Sequence, residues 1–490
     1  MASHAFCWRA FLLGHVGSAR IPILRPLAVG LGILAIQGSS ASAVAQEAPL
    51  LPAPTIDPLR IDFAFDPILR LSDKQASVDE FKALLGMVIA RHPGLLEAAA
   101  GYDEAEAALA EARERGLPSG DLTVTSYKIL SREFSNDPQN IIERSRAAER
   151  TDALLSVQQT VFDFGGTARR IDAAGARLRA ASANEDSVAE QLALRTISSW
   201  YDVAAYQALI AVAGEFSTMQ EEFREAVRER IQQGVSAEGD FARAESYIAS
   251  ADTRMAQLRR ALAQAEARYE ELTGSPPSPA QSRAPQLEPR TMDRETALAE
   301  SRLQPEVRVA EAEADAARLD YRAARSEALP IVTAGIDAGR YGVFETERDY
   351  DVRARVTLRY RFFGGAEPRV EQAGARARGA EARANRIREE AERDAATAWS
   401  DVQALEVELA ALRESYIASR RSRDILFERF RVARGTLFDV LEANNAYFET
   451  AVAYVRALSE LDATHYVLLS RTGRLLEVLD IQPHPLARAR

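Results

Sequence analysis

Two stretches of this chain repeat one another, and internal repetition constrains a fold more than any other sequence feature. His92-Pro93 returns as Gln304-Pro305 and Leu117-Pro118 as Leu329-Pro330, both at a shift of 212 residues. Phe164-Gly165-Gly166 returns as Phe363-Gly364-Gly365, Ala174-Gly175-Ala176-Arg177 as Ala373-Gly374-Ala375-Arg376, Trp200 as Trp399 and Thr273-Gly274 as Thr472-Gly473, all at a shift of 199. The shifts differ because the stretch between the two marker sets is 13 residues longer in the first copy.

Each copy predicts helix, strand, strand, very long helix, turn and shorter helix. In the first copy the helices fall at Val78 to Gly116, Gly166 to about Gln233, and Ala237 to Leu272; in the second at Arg294 to Ala328, Ala366 to about Arg434, and Leu437 to Thr472. Leu117-Pro118 ends the first of these, because the residue before a proline is driven out of the helical region. At 1.5 Å per residue each long helix spans about 100 Å and each shorter one about 50 to 58 Å. Two short helices end to end therefore match one long one, as a tall cylinder of helices requires. Small residues such as Ala173, Ala174, Ala176, Ala180, Ala181 and Ala183 let neighbouring helices approach closely. A dimeric coiled coil with surface alanines is the alternative, and it leaves the strands unexplained. The organisation expected is a signal at 1–45, an extended segment at 46–77, the first repeat at 78–273, a proline-rich linker at 274–293, the second repeat at 294–477 and a tail at 478–490.

The strands carry the functional argument. From Val352 to Phe363 apolar Val352, Ala354, Val356, Leu358, Tyr360 and Phe362 alternate with Arg353, Arg355, Thr357, Arg359 and Arg361. That is the pattern of a membrane β-barrel strand, apolar outward and polar inward, at roughly its 9 to 11 residues. An Arg on the lipid face near the midplane costs about 2 to 4 kcal/mol, so Arg353, Arg355, Arg359 and Arg361 are expected in the barrel lumen. Ile331 to Ala338 is the expected partner strand; Leu122 to Tyr127 and Leu154 to Phe162 form a noisier pair in the first copy, joined by a polar loop. Four strands cannot close around a lumen, and an open sheet would leave its edges in lipid. Three chains would supply twelve strands. A soluble, half-buried hairpin is the competing reading.

Arg9, Arg20 and Arg25, an apolar stretch from Leu27 to Ile36 and Ala43-Val44-Ala45 read as a secretory signal cleaved before Gln46. An N-terminal anchor is the alternative, but the apolar run is short for a spanning helix. Losing those three arginines moves the formal charge from −11 to −14, which argues against nucleic acid as a partner. The one cysteine, Cys7, lies in the signal, and only His92, His465 and His484 follow it, in unrelated contexts. No cysteine or histidine metal cluster, cofactor or disulfide is expected. With no P-loop and no defensible nucleophile–base arrangement, an enzyme is not expected either.

These residues resemble the TolC family of outer-membrane efflux and secretion proteins, over roughly residues 78 to 477. The family-like pieces are Phe162-Asp163-Phe164-Gly165-Gly166, Phe362-Phe363-Gly364-Gly365 and the turn from Arg434 to Ala443. The resemblance implies a mainly α protein with a membrane β-barrel: a homotrimer whose twelve-stranded barrel, four strands per chain, continues into a long periplasmic helical barrel built from the two repeats. Its narrowed inner end would dock on a periplasmic adaptor and an inner-membrane ABC or RND transporter, while outer-membrane lipid surrounds the barrel. The family's gate acids fall on Asp439 and Glu442, with Asp240 contributing in the first copy's turn; Gly234 and Gly435 mark the helix-turn tips for docking. Its bridging arginine falls on Gly435, with Arg434 beside it. Thr436-x-x-Asp439 is equally a helix-capping pattern. The ending Tyr466 to Leu479 looks most like the type I protein secretion branch; a drug or metal efflux duct is the alternative, and a periplasmic coiled-coil adaptor, which needs one hairpin flanked by β-rich domains, is a remote one.

Overall fold

The structure, a computed structural model, describes residues 50–135, 137–234, 238–287, 292–346, 349–362, 364–432 and 434–488. The expected signal at 1–45 lies outside these, as do Val235 to Ala237 and Phe363.

The first expected helix is two: α1 (Val78–Arg91) and α2 (Pro93–Glu114). Pro93 has no N–H to continue the ladder, so His92 turns extended and its Nδ1 accepts from Gly94 N at 3.0 Å, capping α2. The second copy breaks at the matching place. There α6 (Arg294–Glu300) passes through a 3₁₀ turn at Ser301–Leu303 into α7 (Pro305–Glu327), which again has proline in its first turn. The long helices α4 (Gly166–Gln232) and α8 (Ala366–Arg431) run unbroken for 67 and 66 residues, and α5 (Glu238–Thr273) and α9 (Leu437–Arg471) for 36 and 35. Short helices α3 (Ile141–Ser145), α10 (Leu475–Leu479) and α11 (Pro483–Arg488) complete the set among the described residues.

Packing repeats the duplication. The first half of α4 lies against α2 and α7, with Arg177 paired to Asp320 and Arg308 to Asp186 at 2.8 Å. Its second half lies against α5 and α9, where Phe216 stacks on Phe448 at 4.3 Å between ring centroids. Likewise α8 meets α7 in its first half, through Arg388 and Glu311 at 2.5 Å, and α9 in its second, through Tyr416 and Tyr447. Each long helix is thus matched by two shorter ones in series. The contact surfaces are rich in alanine, including Ala173, Ala176, Ala391 and Ala395, all buried.

Four strands form one antiparallel sheet in the order β1 (Ser119–Lys128), β2 (Glu149–Phe162), β3 (Ile331–Arg340), β4 (Tyr350–Arg359). Each copy contributes a hairpin, and β2 pairs with β3 to join them. Every strand end facing the long helices is a junction to α2, α4, α7 or α8, so the β1–β2 and β3–β4 connections lie at the opposite end.

Candidate functional site

Cross-strand partners point to the same side of a sheet, so the observed register settles which residues share a face. Leu122 pairs with Leu155, Leu155 with Ala338 and Ala338 with Val352. Val157 pairs with Ile336, and Ile336 with Ala354; Ala334 pairs with Val356 and Val332 with Leu358. One face is therefore apolar across all four strands. A β-bulge between Thr160 and Phe162 keeps the pattern to the end of β2, turning Phe162 to the apolar side opposite Val332 while Thr160 faces Thr333 on the other. Nothing among the described residues covers this face: Val352, Val356 and Leu358 are 66%, 76% and 68% exposed. Strands of about ten residues at 3.3 to 3.4 Å per residue, tilted, are long enough to cross a bilayer.

The opposite face is polar. Arg353 and Arg355 stand there with Asp337, Asp351, Ser156, Thr123 and Thr125. Arg353 lies 3.0 Å from Asp351 and donates to the Tyr341 hydroxyl at 3.0 Å; Arg355 lies 3.5 Å from Asp337. Arg359 and Arg361 line a hollow of about 290 Å³ at the helix end of the sheet, together with Thr160, Arg170 and Arg369. Of the four arginines named from the alternation, Arg353, Arg355 and Arg359 thus share one face of β4, the first two beside acids, and Arg361 lies just beyond the strand. The outer edges of β1 and β4 have no partner among the described residues.

The strand-to-helix junctions are built from the Phe-Gly-Gly motifs. Asp163 Oδ1 accepts from Gly165 N at 3.0 Å, and Oδ2 from Thr167 N and Oγ1, both at 2.6 Å, satisfying the first turn of α4. Gly165 and Gly365 take left-handed φ of 78° and 72°, which glycine adopts without strain.

At the other end, the turns of the two copies come together around Phe223, Val227, Leu437, Val440 and Leu441. Gly234 closes α4 in the left-handed region, φ 74°. Gly435 is not in that region; a side chain there would come within 3.2 Å of the Phe430 backbone nitrogen. Thr436 and Asp439 form a full capping box: Asp439 N donates to Thr436 Oγ1 at 3.2 Å, and Thr436 N to the Asp439 carboxylate at 3.4 Å. Glu442 is exposed and makes no ion pair among the described residues. Asp240 stands in the first turn of α5, its side chain outside the described set. Arg434 makes no ion pair among the described residues, and its backbone nitrogen donates to Arg429 O at 2.8 Å.

Sequence reasoning missed a set of buried charges in the middle of the helical body. The segment before α1, expected to be extended, carries 3₁₀ turns at Phe63–Phe65 and Leu69–Asp73 and is pinned to α4 and α8. Leu50 N donates to Glu215 at 2.8 Å, Arg423 to Pro52 O at 2.9 Å, and buried Asp66 accepts from Arg420 and, at 3.0 Å, from the Tyr416 hydroxyl. Arg423, fully buried, lies over the Tyr447 ring at 4.2 Å and 2.6 Å from Asp424. Nearer the sheet, Arg283 from the stretch between the copies forms a buried fork with Asp462 at 2.6 Å on both nitrogens. Burial pushes the Asp462 carboxyl up, against the opposing pull of Arg283 and Gln286. Burial also lifts Glu190 to about 7, opposed by a hydrogen bond from Ser470. A signal was present: Tyr416, Arg420, Arg423 and Phe427 recur at i, i+4, i+7 and i+11, the spacing of a buried stripe.

A mainly helical body continuous with a sheet that is apolar on one face and open at both edges defines an outer-membrane channel protomer. The outer membrane efflux protein family matches residues 84–275 and 296–474, and the chain belongs to that family. It is 23% identical over 337 residues to the outer membrane efflux protein BepC of Brucella suis, covering 66% of this chain and 73% of that protein. Among solved structures it is similar to the outer membrane protein VceC of Vibrio cholerae (TM-score 0.71, 18% identity, 82% of this chain and 97% of that one) and to the CmeC outer membrane channel of Campylobacter jejuni (0.70, 14%, 87% and 95%). The open-state MtrE channel of Neisseria gonorrhoeae is similar as well (0.65, 18%, 81% and 89%). The chain accordingly has the TolC-type fold, with its four strands in the outer membrane and its helical part in the periplasm. The family match sets aside the periplasmic adaptor.

Proposed function

We propose that three copies of this chain form the exit duct of a tripartite export system, passively conducting cargo from an inner-membrane transporter and its periplasmic adaptor to the outside. The observation that carries the trimer is the open sheet: its unpaired edges cannot stay in lipid, and the β4 edge of one copy meeting the β1 edge of the next closes a twelve-stranded barrel. In that barrel Arg353, Arg355, Arg359 and Arg361 line the lumen. The helix turns at Gly234 and Gly435 form the docking end, and Asp439, Glu442 and Asp240 ring its constriction.

Two transporter classes compete. The type I secretion reading rests on the ending from Tyr466 to Leu479, yet Tyr466, Thr472, Leu475 and Leu479 are all buried, so packing alone accounts for much of that motif. The second reading is a drug or metal efflux duct, and the similarity to outer-membrane efflux proteins and channels is compatible with both. A deletion strain separates them: loss of a secreted protein from the medium supports the first, and hypersensitivity to apolar drugs or metal ions the second.

The duct itself is tested on purified protein in detergent, where a trimer mass is expected; a stable, conducting monomer would overturn it. In a Cys7→Ser background, Arg355→Cys and Arg359→Cys should label with an impermeant thiol reagent through the lumen, while Val356→Cys and Leu358→Cys stay protected by lipid. The reverse pattern rejects the face assignment.

A further inference from the structure

At the foot of the apolar face, where β4 runs into α8, the chain leaves an open groove of about 1060 Å³ that the duct reading does not use. Its position follows from the register. Tyr360 and Phe362 continue the Val356–Leu358 side beyond the strand, their rings 4.5 Å apart. Phe164, which packs on Phe162 at 4.7 Å, closes the groove from the first copy's junction. Three aromatic rings therefore stand at one level, at the helix end of the sheet, on the lipid side. This is where amphipathic rings collect at a membrane–water boundary.

The rest of the lining is cationic. Arg169, Arg322 and Arg325 reach the groove, against one acid, Glu367; Arg361, assigned above to the lumen, borders both this groove and the hollow on the polar side. Arg169 is held in place, donating to Phe164 O at 2.9 Å and to Ser326. Arg322, Arg325 and Arg361 make no ion pair among the described residues, and all three are exposed. Arg325 instead lies over the Tyr321 ring at 6.0 Å. Unpaired guanidinium groups therefore stand here beside aromatic rings, whereas Arg170, Arg177, Arg308 and Arg388 find acids. It has the composition of a phosphodiester site with an acyl chain alongside, since arginine presents a planar donor fork that matches phosphate.

We propose that this groove binds the headgroup of an anionic phospholipid from the periplasmic leaflet, with Arg322 and Arg325 on the phosphate and Tyr360 and Phe362 against the upper acyl chain. The proposal rests on the barrel reading, because only that reading puts these rings at the inner boundary of the bilayer. Basic residues at an anionic surface attract lipid by about 1 kcal/mol each, so two of them produce a preference of roughly thirtyfold.

The test uses the full chain in nanodiscs of phosphatidylcholine with one-tenth phosphatidylglycerol, counting retained lipids by native mass spectrometry. The unaltered protein should retain phosphatidylglycerol well above its share. The double variant R322Q/R325Q should lose roughly tenfold or more of that preference, and R322K/R325K should regain most of it. R353Q/R355Q, on the opposite face, should leave the preference as it was. Equal enrichment with R322Q/R325Q, loss of enrichment with R353Q/R355Q instead, or displacement of the lipid by millimolar glycerol phosphate would each overturn the proposal. Insertion without headgroup preference rejects the groove alone, whereas failure to insert rejects the barrel reading with it.

Discussion

Arginine does opposite work in the sheet and in the helical body. In β4, Arg353 and Arg355 are exposed and loosely matched to Asp351 and Asp337 at 3.0 and 3.5 Å. In the body, Arg420, Arg423 and Arg283 are buried, each against a carboxylate that is itself at most 1% exposed. A solvated pair contributes about 0 to 1 kcal/mol, because water screens it and two long side chains must be ordered. A buried pair adds little over an apolar core, yet breaking it strands a charge away from water. The sheet arginines should therefore have little effect on folding. The buried ones bind the segment before α1 and the stretch between the copies to the long helices.

The largest effect should come from breaking that contrast directly. Arg420→Ala leaves Asp66 without its counter-charge and should cost about 3 to 5 kcal/mol in denaturant unfolding, while Arg355→Gln should stay within about 1 kcal/mol. Similar losses for the two would end the distinction between the regions. A smaller effect is expected from Glu190. Its folded pKa of about 7 lies above the ordinary 4.5, so the folded state holds the proton more tightly than the unfolded one. Stability should be greatest below about 4.5 and fall as pH rises to about 7, by at most about 3 kcal/mol. Glu190→Gln should flatten that slope; an unchanged pH profile would place the dependence elsewhere. The smallest effect concerns the tip. Asp439→Ala removes half of a capping box and should cost about 1 kcal/mol, whereas exposed Glu442→Ala should leave stability alone and carry the larger loss of divalent-cation block in planar bilayers. Equal block in both variants and the unaltered duct would leave Asp439 as a cap and nothing more.

The long helices were legible because nothing interrupts them. The strands were legible because strict alternation has one meaning on a pleated sheet. His92-Pro93 and Gln304-Pro305 were visible as repeat markers, and their further role, splitting a helix in both copies, needed the observation that each proline begins a new helix. The candidate gate acids came from resemblance. In the structure Asp439 is engaged in capping, which spacing alone leaves open.

What the sequence determined by itself is what local periodicity and repetition can express: two like halves, helices of about 100 Å, and a strand with arginine on one side and apolar residues on the other. Tertiary structure decided which strands lie side by side. The β2–β3 pairing and the bulge at Thr160 and Phe162 merge two hairpins into one apolar face, and that depends on contacts some 170 residues apart in the chain. It also decided the fate of the charges. Asp66 and Arg420 are 354 residues apart, and a run such as Arg420-Arg421-Ser422-Arg423-Asp424 reads as a solvated surface until another segment is laid over it. Burial is a property of what lies across from a residue: the helical spacing of Tyr416, Arg420, Arg423 and Phe427 marks a stripe, but it does not name the segment that covers it.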